Sequence, residues 1–210
     1  MIDRTLQPPV CEPEDFVMQC PECRVLPNGI PLNILNIGDN EVVRVDVLMK
    51  GGRWHQRLPL QALFTNRMLR EGTSRYTSAE IAEKLDYYGA WLELSCAAEY
   101  AFITLYSLNK YLPQTLDVLE SMVKEPLFPE KELQTIIANN VQQFKVNSSK
   151  VDFLAHRGLA EALFGKHHPC GRMVQEADYG HITSEVLRRF YVDYYHSGNC
   201  SLYVSGLVTD

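Results

Sequence analysis

No apolar run in the 210-residue chain approaches the roughly 18 residues that a membrane-spanning helix requires, which argues against a helical membrane protein. The first ten residues, MIDRTLQPPV, lack the charged-then-apolar order of a signal peptide, and the expectation is a cytoplasmic protein. Lys and Arg are too few and too scattered for a polyanion binder: 20 of them face 26 Asp and Glu, a net charge of -6, so no nucleic-acid partner is expected. The six cysteines (Cys11, Cys20, Cys23, Cys96, Cys170 and Cys200) are spread too widely for a secreted disulfide scaffold, which favours reduced thiols. There is no G-x-S-x-G elbow to expose a nucleophile, and the glycines form no phosphate loop.

What is present is the composition of an ordinary globular domain, 46% hydrophobic and 22% charged, on a chain long enough to bury a core of several helices and a sheet. Residues 1–23 are rich in Pro and acidic side chains without a period, and read as an extended N-terminal arm. A hairpin is expected around Pro27-Asn28-Gly29, and a half-buried strand where Val43, Val45, Val47 and Met49 alternate with other residues before Gly51-Gly52. Apolar spacing predicts a helix over Pro59 to Arg70 with Gly72 as its cap, and another opened by Thr77-Ser78-Ala79-Glu80. Two strands around Ala97-Ala98-Glu99 follow. Next come a helix capped by Asn109 with Leu112, Leu116, Leu119 and Val123 on one face, a helix restarting at Pro129, an amphipathic helix from Val151 to Phe164, a helix opened by Thr183, and a final strand, CSLYVSG. Strands, two helices, strands, several helices and a strand define an α+β domain over residues 24–210, a largely antiparallel sheet with helices packed on one face.

The stretches LPNGIPLNIL, VLMKGGRW, MLREGTSRYTSAEIAEKLDYYGAWLELSCAAEYAFITL, PLFPEKEL, HHPCGR and NCSLYVSGLV, in this order and spacing, resemble the N-terminal half of a pitrilysin/insulinase-type zinc metallopeptidase. That family includes the mitochondrial processing peptidases, and the likeness covers residues 24 to 210. In its active members a helix bearing H-x-x-E-H precedes the stretch that here reads MLREGT, the two His holding zinc and the Glu serving as general base. Counted back from Gly72, those places fall on Leu63, Asn66 and Arg67. Leu has no lone pair to donate, an amide is not a useful base, and a guanidinium is always charged. The family's third ligand, a Glu on a later helix, would fall near Thr135 to Ile137, where TIIANN has no carboxylate.

The resemblance therefore implies a non-catalytic domain or subunit without zinc of its own, which helps to enclose peptide beside a zinc-bearing catalytic partner or a second homologous half-domain. It also implies that the strand in ELSCAAEY is the edge that pairs with extended peptide, with Leu94, Cys96, Ala98 and Glu99 as candidate peptide-binding residues; the same stretch also reads as a strand that merely completes the sheet. Two other readings stand beside this one. An active metallopeptidase could carry its ligands outside this segment. Alternatively Cys20-Pro21-Glu22-Cys23, with Cys11 as a third thiolate, could form a metal or redox module, against the simpler reading of an incidental pair. His167 and His168 are adjacent and diverge in any regular element, and His55, His156, His181 and His196 lack acidic neighbours at ligand spacing.

Overall fold

The computed structural model describes residues 17–208 together with Thr5 and Gln7. Most of the expected N-terminal arm, Cys11 included, lies outside the described residues. Strand β1 (Glu22–Val25) turns through Leu26 to Ile30 into β2 (Pro31–Asn36), and Gly29 takes the left-handed φ of 84° that the turn requires. Strand β3 (Val42–Met49) then buries Val43, Val45, Val47 and Met49, the alternation that its sequence dictates.

Six strands form one sheet in the order β1-β2-β6-β3-β5-β4, with β4 spanning Trp91–Cys96, β5 Ala101–Leu108 and β6 Cys200–Gly206. Every neighbouring pair is antiparallel except β2 and β6, which run parallel, Leu32 opposite Leu202. One face carries the core, where the buried side chains of β3 meet Ala101, Ile103 and Leu105 of β5. The other face is mixed, Leu48, Phe102 and Trp91 sharing it with a polar cluster in which Thr104 donates to Asp46 at 2.6 Å and Arg44 bonds the same carboxylate while lying over the Tyr106 ring.

Helices cover the core face. They are α1 (Gln61–Met68), α2 (Ser78–Tyr87), α3 (Leu112–Lys124), α4 (Glu130–Ser148), α5 (Val151–Phe164) and α6 (Ser184–Tyr194). Helix α2 opens as its sequence foretells: the Thr77 hydroxyl accepts from the Glu80 N–H, and the Glu80 carboxylate accepts from the Thr77 N–H at 2.8 Å. Thr183 caps α6 in the same way through the Val186 N–H. Phe64, Met68, Met122, Leu133 and Leu187 are fully buried where these helices meet the sheet.

Three local expectations are corrected. Helix α1 ends at Met68, and Gly72 lies beyond it in an isolated bridge to Thr77. Asn109 does not cap α3; a 3-10 turn intervenes, and its amide instead donates to the Leu207 carbonyl at 2.6 Å, a tertiary acceptor replacing the local one. The buried face of α3 is rotated from the expected stripe, so Thr115, Val118 and Met122 are buried while Leu116 faces outward.

Candidate functional site around helix α1

Helix α1 is short, and its sequence QALFTNRM places most of its side chains in the core. Ala62, Phe64, Thr65, Asn66 and Met68 are buried, while Leu63 and Arg67, one turn apart, are half-buried on a single face. It begins from Leu60 with a φ of 71°, a left-handed conformation that a branched side chain adopts only under tertiary constraint.

Arg67 looks toward α4. Its Nη1 donates to Asn140 Oδ1 at 2.6 Å, and the Asn140 amide is itself oriented by donating to the Ile136 carbonyl at 2.8 Å. Asn66, one residue earlier, points the other way: its Nδ2 donates to the Phe102 carbonyl of β5 at 3.3 Å. Asn66 Oδ1 and the Tyr195 hydroxyl are buried beside one another without a formed hydrogen bond, and burial raises the Tyr195 phenol above its usual range. Between α1, α4 and β4 lies a cavity of about 330 Å³ lined by Arg67, Leu94, Ile136, Asn140 and the neighbouring Arg70 and Glu71.

The residues expected to lie near a third ligand are placed as follows. Ile136 faces the cavity, whereas Thr135 is exposed, its hydroxyl donating back to the Lys131 carbonyl. The α4 side chain that meets Arg67 is Asn140, which the sequence reading did not single out. Its spacing of one turn from Ile136 was the available signal.

These residues do not fit zinc. Leu63 offers no donor atom, Arg67 presents a cation where a ligand would sit, and Ile136 and Asn140 bring no carboxylate from α4. Among the described residues, no three His, Cys, Asp or Glu side chains converge as a metal cage. Cys20 and Cys23 are exposed, and the Cys23 thiol donates to Asn33 Oδ1 at 3.2 Å. His168 stacks on Phe164 and its Nδ1 accepts from the Cys170 N–H.

The candidate peptide-binding residues fall into two groups. Strand β4 is an edge of the sheet. Because the Ala97 N–H bonds the Tyr100 carbonyl and antiparallel pairs alternate, the N–H and C=O groups of Leu92, Leu94 and Cys96 point away from β5 toward the edge that no strand among the described residues covers. The Leu94 and Cys96 side chains turn to the core side, and burial pushes the Cys96 thiol up to about 11 although the Arg53 and Arg67 cations oppose it. Ala98 and Glu99 lie past the end of β4, in the turn to β5. Their carbonyls accept from the Trp54 and Gly52 N–H groups at 2.8 and 2.9 Å, so these two residues hold the 51–54 loop.

A largely antiparallel sheet with helices on one face, and the short helix α1 set against the edge strand β4, is the fold of metallopeptidase half-domains. The family model for insulinase (peptidase family M16) matches residues 56–172, more than half of the chain, and the chain belongs to this family. A curated relative, an uncharacterized zinc protease of Bacillus subtilis called YmxG, is 25% identical over 188 residues, covering 87% of this chain and 46% of the relative. The solved structure of a peptidase M16 inactive domain from Pseudomonas fluorescens superposes with a TM-score of 0.84 at 21% identity, covering 91% of this chain and 47% of that one. An M16-like peptidase from Alicyclobacillus acidocaldarius gives a TM-score of 0.78 at 14% identity, over 92% of this chain and 48% of the other. The chain thus spans about half the length of these relatives. None of its described helices is long and apolar enough to cross a membrane.

Proposed function

We propose that this chain is a non-catalytic insulinase-type half-domain that binds extended peptide along the free edge of β4, beside a zinc-bearing catalytic partner or a second homologous half. The observation that supports the reading is Arg67 engaged to Asn140, on the helix where the resemblance aligns Leu63, Asn66 and Arg67 with the family's metal motif. Strand addition needs only backbone groups, and those of Leu92, Leu94 and Cys96 are turned outward, so peptide binding survives the loss of the metal ligands. The description of the Pseudomonas fluorescens relative as an inactive domain agrees with this assignment, and half-length coverage of each relative agrees with a partner half.

The test is zinc stoichiometry by elemental analysis of the purified chain, before and after dialysis against a mild chelator, joined to a peptide-cleavage assay. The expected result is no retained zinc and no chelator-sensitive cleavage. One tightly held zinc per chain with cleavage abolished by chelation would overturn the proposal, and metal without cleavage would direct attention to Cys11, Cys20 and Cys23.

A further inference from the structure

The charges around the α1 cavity are unbalanced. Arg70 Nε pairs with Glu71 Oε1 at 3.3 Å, and Glu71 also accepts from the Ser78 hydroxyl, so that carboxylate is already engaged. Arg67 has no ion pair with any carboxylate among the described residues, and its hydrogen bond to the neutral Asn140 amide leaves its charge uncompensated. A half-buried guanidinium is desolvated enough to make an added anion favourable. Its planar fork matches the geometry of a carboxylate, the anion that a peptide itself supplies.

The cavity opens beside the peptide edge. Leu94 belongs to both: its backbone N–H and C=O face the free edge of β4 while its side chain lines the same cavity as Arg67. The Arg67 charge also reaches the Cys96 thiol, the next outward-facing position along the strand. A segment paired with β4 therefore runs past the guanidinium.

We infer that Arg67 and Asn140 form a carboxylate-binding subsite that fixes an extended peptide on β4 through its C-terminal carboxylate or an acidic side chain. This inference rests on the proposed peptide binding at β4 and adds the chemistry of the ligand. Where active relatives place a metal ligand, this chain places a fixed cation: it holds one anionic end of the peptide and polarises no amide bond.

The test uses the full chain and fluorescence anisotropy with three labelled hexapeptides of alternating Val and Thr: the free acid, its C-terminal amide, and the amide with one internal Glu. The free acid should bind about tenfold or more tightly than the plain amide, as expected for a charge-assisted contact, and added salt should erode the difference. Equal gain by the Glu-bearing amide assigns the subsite to acidic side chains, and gain by the free acid alone assigns it to the chain terminus. Arg67→Met should abolish the discrimination, with an unchanged circular dichroism spectrum and urea midpoint reporting that the variant is folded; Arg67→Lys should restore part of it. Acid and amide binding equally, with no effect of Arg67→Met, would sink the subsite and leave strand pairing intact. A parallel NMR titration with N-acetylglycine and N-acetylglycinamide, read at the Arg67 Nε–H signal, separates the remaining cases. A response to the acid alone, with no hexapeptide bound, sustains the subsite and removes the strand reading. No response to any probe overturns both.

Discussion

The positive charge at position 67 is predicted to oppose zinc binding by itself, an effect that can be separated from the donor chemistry of positions 63 and 140. Leu63→His with Asn140→Glu would supply two donors, one from α1 and one from α4, on either side of the cavity. With Arg67 retained, a guanidinium about 4 Å from the dication opposes it by about 8 kcal/mol at an effective dielectric of 20, and by about 4 kcal/mol if partial exposure doubles that dielectric. The new carboxylate would also pair with Arg67, whose Nη1 is already 2.6 Å from Asn140 Oδ1, and so be withdrawn from the metal. Adding Arg67→Leu removes the charge without adding a donor atom. Competition against a chromophoric zinc chelator should then show the triple variant binding at least about a thousandfold more tightly than the double, the smaller figure at about 1.4 kcal/mol per decade. Affinities within threefold of each other would refute the electrostatic argument and leave donor count as the sole cause.

Met122 is fully buried between α3 and the sheet, and Met122→Ala should lower the unfolding free energy by about 2–5 kcal/mol in a urea titration, while a loss below about 1 kcal/mol would mean that the site collapses around the deletion. Asp117 accepts from the Tyr76 hydroxyl at 2.6 Å and from Arg75 at 2.7 Å, and these bonds, the Tyr76 bond first, hold its carboxyl below the usual range. Its stabilising effect is therefore present above its unfolded pKa of about 3.9 and lost as pH falls through the lower folded value. With the side chain 44% exposed, Asp117→Asn should cost under about 1 kcal/mol at neutral pH and flatten the acid limb of the stability profile; an unchanged limb would place the acid sensitivity elsewhere.

The parts of the fold visible in the sequence were those where local chemistry and tertiary need coincide. Alternation exposed β3 because one side of the strand is buried in the core while Arg44 and Asp46 lie on the other, and Thr77 with Glu80 marked the start of α2 because both partners of the capping box are local. Where a distant partner decides, the local signal misled. Asn109 is an ordinary cap residue, but the Leu207 carbonyl claims its amide from 98 positions away. Leu116 matched the apolar stripe of α3, yet small polar Thr115 and Ser121 are buried in that helix, where their hydroxyls bond back to α3 carbonyls and, for Thr115, to Ser107. The candidate site divides along the same line: a fixed offset to Gly72 singles out Leu63, Asn66 and Arg67 in the sequence, while Asn140 belongs to another helix and is paired with Arg67 only by packing.

Asn66, which the resemblance aligns with the family's general base, offers a direct probe of this interior. It is fully buried, with one amide donor spent on the Phe102 carbonyl; its Oδ1 and the neighbouring Tyr195 hydroxyl each lack a hydrogen-bond partner among the described residues. Asn66→Asp changes no volume but turns the donor at Phe102 into an acceptor, so the ionised form is penalised by burial and by carbonyl repulsion, while the protonated form can still donate. The folded pKa of the new carboxyl then lies above its unfolded value of about 3.9, and the variant should match the parent near pH 4 and lose stability as pH rises, by about 1.4 kcal/mol per unit until the folded pKa is passed. Urea unfolding at half-unit steps from pH 4 to pH 8 reads this slope directly. A flat difference between variant and parent would mean that the Tyr195 hydroxyl rotates to donate to the carboxylate and holds it ionised, and that this interior still accommodates an anion where active relatives keep a glutamate.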